Sequence, residues 1–195
     1  MHEGGTAVVE VVLFHHALGL TEGVVAFADA LRAAGHTVHT PDLFDGRTFA
    51  SVQEGVGHAQ EIGFPEVVAR GVRAAEELPG EAVYAGFSLG VLPAQMLAQT
   101  RPDARGALLI HGCIPVTEFG DAWPSRVPVQ IHAAKDDPFW AEDEAAAQAL
   151  VAEAAEAELF LYPGDQHLFT DSSIPAYDAD ATALLLDRVT AFLAS

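Results

Sequence analysis

The sequence predicts an α/β protein: a single domain built on a mostly parallel sheet of about six strands, with helices on both faces. Two observations lead there. Short, nearly continuous apolar runs alternate along the chain with longer segments of helical spacing, which is the pattern of strands buried on both faces and joined by helical crossovers. The length of 195 residues, half of them hydrophobic, suits one sizeable core over residues 1–195 and leaves little room for a second domain.

The elements follow in order. Ala7–Phe14, rich in Val, reads as the first strand. Glu22–Ala34 reads as a helix, with Val25, Ala28, Leu31 and Arg32 at helical spacing and Gly35 to end it. His36–Thr40 is a short strand stopped by Pro41. Ser51–Ile62 is helical but weakened by Gly55 and Gly57, and Pro65–Leu78 is a better helix, stopped by Pro79-Gly80. Glu81–Phe87, Gly106–His111, Val127–Ala133 and Ala157–Tyr162 are strands. Leu89–Gln99, Glu142–Ala155 and Tyr177–Leu193 are helices. Right-handed crossovers limit such a chain to a few doubly wound strand orders, and ligands then bind beyond the carboxyl ends of the strands. The loops of interest therefore follow Phe14, Phe87, His111, Ala133 and Tyr162.

Composition narrows the function. A formal charge of −19 repels phosphate backbones and anionic lipid, so neither a nucleic-acid nor a membrane partner is expected. No apolar run approaches the roughly 20 residues of a membrane helix. Residues 1–7 do not read as a secretory leader. One cysteine, Cys113, excludes an intrachain disulfide and a cysteine-based zinc site. A cytoplasmic protein is the expectation.

The strongest chemical signal is Gly86-Phe87-Ser88-Leu89-Gly90, set between a strand and a helix. That is the context of a nucleophile elbow, in which a sharp turn lifts the serine hydroxyl above the sheet edge. A serine hydroxyl needs a base, and in this arrangement the chain order is Ser, then an acid, then His. His167 follows the last strand and fits as the base. The orienting acid should follow Val127–Ala133, where Lys135-Asp136-Asp137-Pro138 stands. Asp137 is favoured because Pro138 biases it toward an extended conformation; Asp136 is the rival.

An oxyanion hole needs two N–H donors. Leu89 supplies one. The other is assigned to Ala17 in the loop after the first strand, with His16 as the alternative. His15 and His16, adjacent on an extended backbone, point in opposite directions and are read as loop-shaping or pocket-lining rather than metal-binding. Cys113 and His111, after the fourth strand, and Trp140 are further pocket-lining candidates, and Trp123 and Phe139 with Trp140 offer an apolar wall. The loop Phe119–Pro124 is a candidate cover for the site. No metal and no cofactor are expected.

On these residues the chain resembles the dienelactone hydrolase family, of the α/β-hydrolase fold. The resemblance runs through His15–Gly23, Leu31–His36, Pro41–Phe44, the elbow, Asp137 and His167-Leu168-Phe169. The compact size, without a large cap domain, is also similar, and the resemblance implies a Cys–His–Asp site acting on a cyclic ester. Two positions depart from the family pattern: Ser88 stands where the family has cysteine, and His16 where it has a glutamate. The expected activity is ester or lactone cleavage through an acyl-enzyme. A thioesterase or acyltransferase on the same residues, or a non-catalytic binding protein on this fold, are the alternatives.

Overall fold

A computed structural model describes residues 7–195; the leader reading above falls, for residues 1–6, outside them. Six strands form one all-parallel sheet in the order β2-β1-β3-β4-β5-β6. They are β1 Glu10–Phe14, β2 Thr37–His39, β3 Ala82–Phe87, β4 Gly106–Ile110, β5 Val129–Ala134 and β6 Ala157–Tyr162. The helices are α1 Glu22–Ala33, α2 Val52–Ile62, α3 Phe64–Glu76, α4 Val91–Thr100, α5 Trp140–Glu153 and α6 Ala179–Leu193.

Alternation along the strands explains the layers. Val12 and Phe14 face one apolar cluster, Val11 and Leu13 the other, because successive side chains leave opposite faces of a strand. The first cluster holds Tyr84, Leu109 and Ile131 with residues of α3, α4 and α5; the second holds Val83, Leu108 and Ile110 with residues of α1 and α6. Both faces are covered, so the central strands β3 and β4 are buried at every position and carry no charged side chain. Each fully buried Val, Leu or Phe contributes about 1.5–3 kcal/mol.

Several boundaries differ from expectation. The first strand is shorter, and α1 buries Val24, Phe27, Ala28 and Leu31 while Val25 is exposed. Thr21 caps α1, its side chain accepting from the Val24 N–H. The helix after the elbow begins with a 3-10 turn at Ser88–Gly90 before α4 takes over. The helix expected from Glu142 starts at Trp140, since a proline is tolerated just ahead of a first turn whose N–H groups have no partner in any case. Among the described residues no helix is long and apolar enough to cross a membrane.

Strand order reverses between β1 and β3: the chain winds outward to β2 on one side and through β4, β5 and β6 on the other. This switch point opens a crevice at the carboxyl ends of β1 and β3. The loops from Phe14 and Phe87 meet there.

Candidate active site

Ser88 sits at the tip of β3 with φ of 48°, in the left-handed region that a side chain rarely adopts. Such a residue costs about 1–3 kcal/mol and persists only where its surroundings hold it. Gly86 and Gly90 do the holding. A Cβ on Gly86 would lie 2.1 Å from the Gly90 carbonyl oxygen, and one on Gly90 would lie 2.4 Å from the Phe14 carbonyl oxygen. Both obstacles are backbone, so only glycine lets the turn close on itself and press against the end of β1. The same contact sets the loop carrying His15, His16 and Ala17 beside the elbow.

The Ser88 hydroxyl lies 2.8 Å from His167 Nε2. His167 Nδ1 lies 2.6 Å from Asp137 Oδ2. With the Nδ1–H donating to the carboxylate, Nε2 is free to accept the serine proton. The other carboxylate oxygen of Asp137 accepts the Phe139 N–H at 2.9 Å, so both oxygens of this buried group have donors. Two backbone bonds join the loops: Lys135 N–H to the Tyr162 carbonyl at 2.8 Å, and Asp136 N–H to the Gly164 carbonyl at 3.0 Å. They bring the loop after β5 against the loop after β6. Asp136 itself is exposed, and its side chain is not on the imidazole.

Leu89 stands in the 3-10 turn that opens α4, where N–H groups have no helical partner. Ala17 is buried, with its carbonyl packed closely over Gly55 of α2.

The expected pocket-lining residues need correction. His15 does not face the crevice. It is fully buried, its Nδ1 bonded to the His16 carbonyl at 2.7 Å and its Nε2 accepting the Leu43 N–H at 2.9 Å, so it shapes the loop after β2. His16 points the other way and bonds to Asp171 Oδ2 at 2.8 Å. Cys113 is buried in the core rather than on the crevice wall. Burial, with the Asp143 carboxylate nearby, pushes its thiol up to about 12, which leaves no thiolate for chemistry.

Trp140 is only 2 % exposed and packs in the core, while its neighbour Phe139 is 49 % exposed. The Phe139 ring lies 4.4 Å, centroid to centroid, from that of His167. Phe139 is thus the aromatic at the site. Trp123 is buried too, its indole N–H donating to the Val127 carbonyl at 2.7 Å. That anchors the segment Phe119–Pro124 beside Gln99 and Glu153, at α4 and α5, not over Ser88.

Three further polar groups lie near the centre: Asp143 and Asp171 carried no local sequence signal, while His111 stands at the end of a strand whose following loop the sequence singles out. Asp143 accepts the Cys113 N–H at 3.1 Å, and burial raises its carboxyl above the usual range. His111, with φ of 63°, is buried at the end of β4, and its Nε2 lies 2.8 Å from the Thr170 hydroxyl. Burial and neighbouring histidines hold it neutral. Asp171, four residues after His167, is buried against the start of α1.

Comparison with known proteins agrees with this architecture. The model of the dienelactone hydrolase family matches residues 4–195. Among solved structures, the chain is similar to a dienelactone hydrolase-like promiscuous phosphotriesterase from metagenomic libraries, with a TM-score of 0.74 and 23 % identity over 98 % of this chain and 88 % of that one. It is similar to a dienelactone hydrolase from Anabaena variabilis, with a TM-score of 0.67 and 17 % identity over 97 % and 86 %. An esterase from Pyrobaculum calidifontis gives a TM-score of 0.67 and 17 % identity over 98 % and 78 %. Identities this low speak for the fold, and the family match speaks for the lineage. The chain belongs to the dienelactone hydrolase family.

Proposed function

We propose that this protein is a serine hydrolase that cleaves a carboxylic ester or lactone of a small molecule through an acyl-enzyme. The observation that carries the reading is the unbroken line of hydrogen bonds from Ser88 to His167 to Asp137, at 2.8 and 2.6 Å, at a strained elbow. Family membership supports the reaction class.

Ser88 Oγ attacks the carbonyl carbon while its proton passes to His167 Nε2. The carbonyl electron pair moves to oxygen, and the Leu89 and Ala17 N–H groups donate to the resulting oxyanion. Asp137 holds the imidazole in the right tautomer and stabilises the imidazolium. Collapse re-forms the carbonyl and breaks the bond to the leaving oxygen, which takes the proton from Nε2. In a lactone the leaving alkoxide stays tethered to the acyl group. Water then gives a proton to Nε2 as it attacks the acyl carbon; collapse breaks the bond to Ser88 Oγ, which takes the proton back from Nε2, releasing the acid and restoring the Ser88 hydroxyl.

The surface charge of −19 favours neutral substrates over strongly anionic ones, whose approach the far field opposes. A panel of short esters and lactones, run beside Ser88→Ala, tests the proposal. Wild type should turn over at least one class. The variant should fall by about 10³-fold or more in kcat while melting at an unchanged temperature. Equal ester hydrolysis by the two proteins would refute it.

A further inference from the structure

His16 and Asp171 are 155 residues apart, and each side chain is only 1 % exposed. Their contact joins two loops that both reach Ser88. On one side, His16 precedes Ala17. Its Nδ1 accepts the Leu18 N–H at 3.3 Å, and its carbonyl accepts the Gly19 N–H at 3.0 Å. The residues on either side of Ala17 are thereby fixed. Since Nδ1 is an acceptor, the ring proton is on Nε2 and donates to Asp171 Oδ2 at 2.8 Å.

On the other side, Asp171 closes the turn that follows His167, its N–H donating to the Leu168 carbonyl at 3.1 Å. Its carboxylate is saturated. Oδ2 also accepts the Thr21 hydroxyl at 2.6 Å, and Oδ1 accepts the Ser173 N–H and hydroxyl at 2.8 and 2.6 Å. A Cβ on Gly23 would lie 1.7 Å from Oδ1, so the first turn of α1 is shaped to admit this group. Burial alone would raise the Asp171 carboxyl, but the His16, Ser173 and Thr21 donors outweigh it and keep it ionised. Burial outweighs the carboxylate at His16 and keeps that ring neutral, in agreement with the donor and acceptor roles above.

We infer that His16 and Asp171 are positioning residues: their buried bond sets the Ala17 N–H relative to His167, so that oxyanion donor and base face one carbonyl together. The inference rests on the function proposed above. It follows from where the bond lies. One end is adjacent to the assigned donor and the other is one turn past the base, and neither side chain has an exposed edge for substrate. A displacement of about 1 Å at either end is enough to cost about 100-fold in rate.

The test compares wild type, His16→Phe, His16→Gln and Asp171→Asn. Each protein is titrated with a fluorophosphonate to count competent Ser88, and kcat and KM for a short ester are then expressed per titrated site. A glutamine Nε2 reaches the place of the imidazole Nε2, so His16→Gln keeps the donor to Asp171 and should retain kcat within about fivefold. His16→Phe and Asp171→Asn should lose about 10- to 100-fold in kcat per site, with KM changed by less than about threefold.

If both keep kcat per site within about threefold and only their melting temperatures fall, the pair serves stability alone and the inference is wrong. Should His16→Phe fail to fold, the order wild type, His16→Gln, Asp171→Asn carries the same decision. Wild type that takes up no probe at Ser88 would overturn the serine-hydrolase reading itself, and this inference with it.

Discussion

Replacing Asp137 with Asn exchanges one oxygen for an NH₂ group and reverses a hydrogen bond. The Phe139 N–H donates to Asp137 Oδ1 at 2.9 Å and needs an acceptor there. An asparagine must therefore keep its carbonyl toward Phe139 and turn its NH₂ toward His167 Nδ1, which lies 2.6 Å from the present Oδ2. Nδ1 becomes an acceptor, and the ring proton moves to Nε2. Nε2 then faces the Ser88 hydroxyl as a donor and can no longer take its proton. The imidazolium also loses its counter-charge. A wrong-tautomer defect of this kind costs about 10⁴-fold in kcat, which is about 5.5 kcal/mol of transition-state stabilisation. The assay is steady-state hydrolysis of a p-nitrophenyl ester, per site titrated on refolded protein. Asp136→Asn is the control: that side chain is exposed, and only its backbone N–H bonds across to Gly164. It should keep kcat within about twofold, as expected of a surface change. A kcat for Asp137→Asn within tenfold of wild type would refute the reasoning.

Other outcomes follow from the same geometry. Gly90→Ala drives a Cβ into the Phe14 carbonyl and should destabilise the protein by at least about 1–3 kcal/mol in urea unfolding, with loss of probe uptake at Ser88. Phe139→Ala removes a ring face from His167 and should lower kcat about two- to fivefold, equivalent to about 0.5–1 kcal/mol of cation–π support for the imidazolium, with little change in melting temperature. His132, buried in β5 and bonded to the Tyr162 hydroxyl of β6, has its pKa lowered from 6.5 to about 3 by burial. Below pH 6.5 the unfolded chain binds a proton there that the folded chain refuses, so stability falls as pH drops from about 6.5 toward 3. His132→Gln should flatten that part of the stability–pH curve measured by urea melts.

Much of this architecture was legible in the sequence because parallel strands buried on both faces must be apolar at consecutive positions. Val11 to Phe14 and Ala82 to Phe87 declare themselves in that way. The elbow was legible because glycines two residues either side of a serine have a steric purpose that only a strand–turn–helix supplies. His167 was placed by its position one loop beyond the last strand. What escaped was everything set by long-range contact. Trp140 and Phe139 are adjacent aromatics, and which one enters the core depends on where α5 starts. His15 and His16 look alike in the chain, yet one serves Leu43 and the other Asp171, each supplied by a distant segment. Asp171 lies in a polar stretch with no periodicity, and nothing local marks it as buried. The short β2 illustrates the remaining limit: three residues hold too little pattern to fix their own ends.

The most direct test of the account is to treat the native protein with a fluorophosphonate and map the adduct by peptide mass spectrometry. A single adduct on the peptide carrying Ser88, formed by wild type and slowed by about 10³-fold or more in His167→Ala, is the predicted result. Labelling at another residue, or labelling of Ser88 at the same rate without His167, would contradict it.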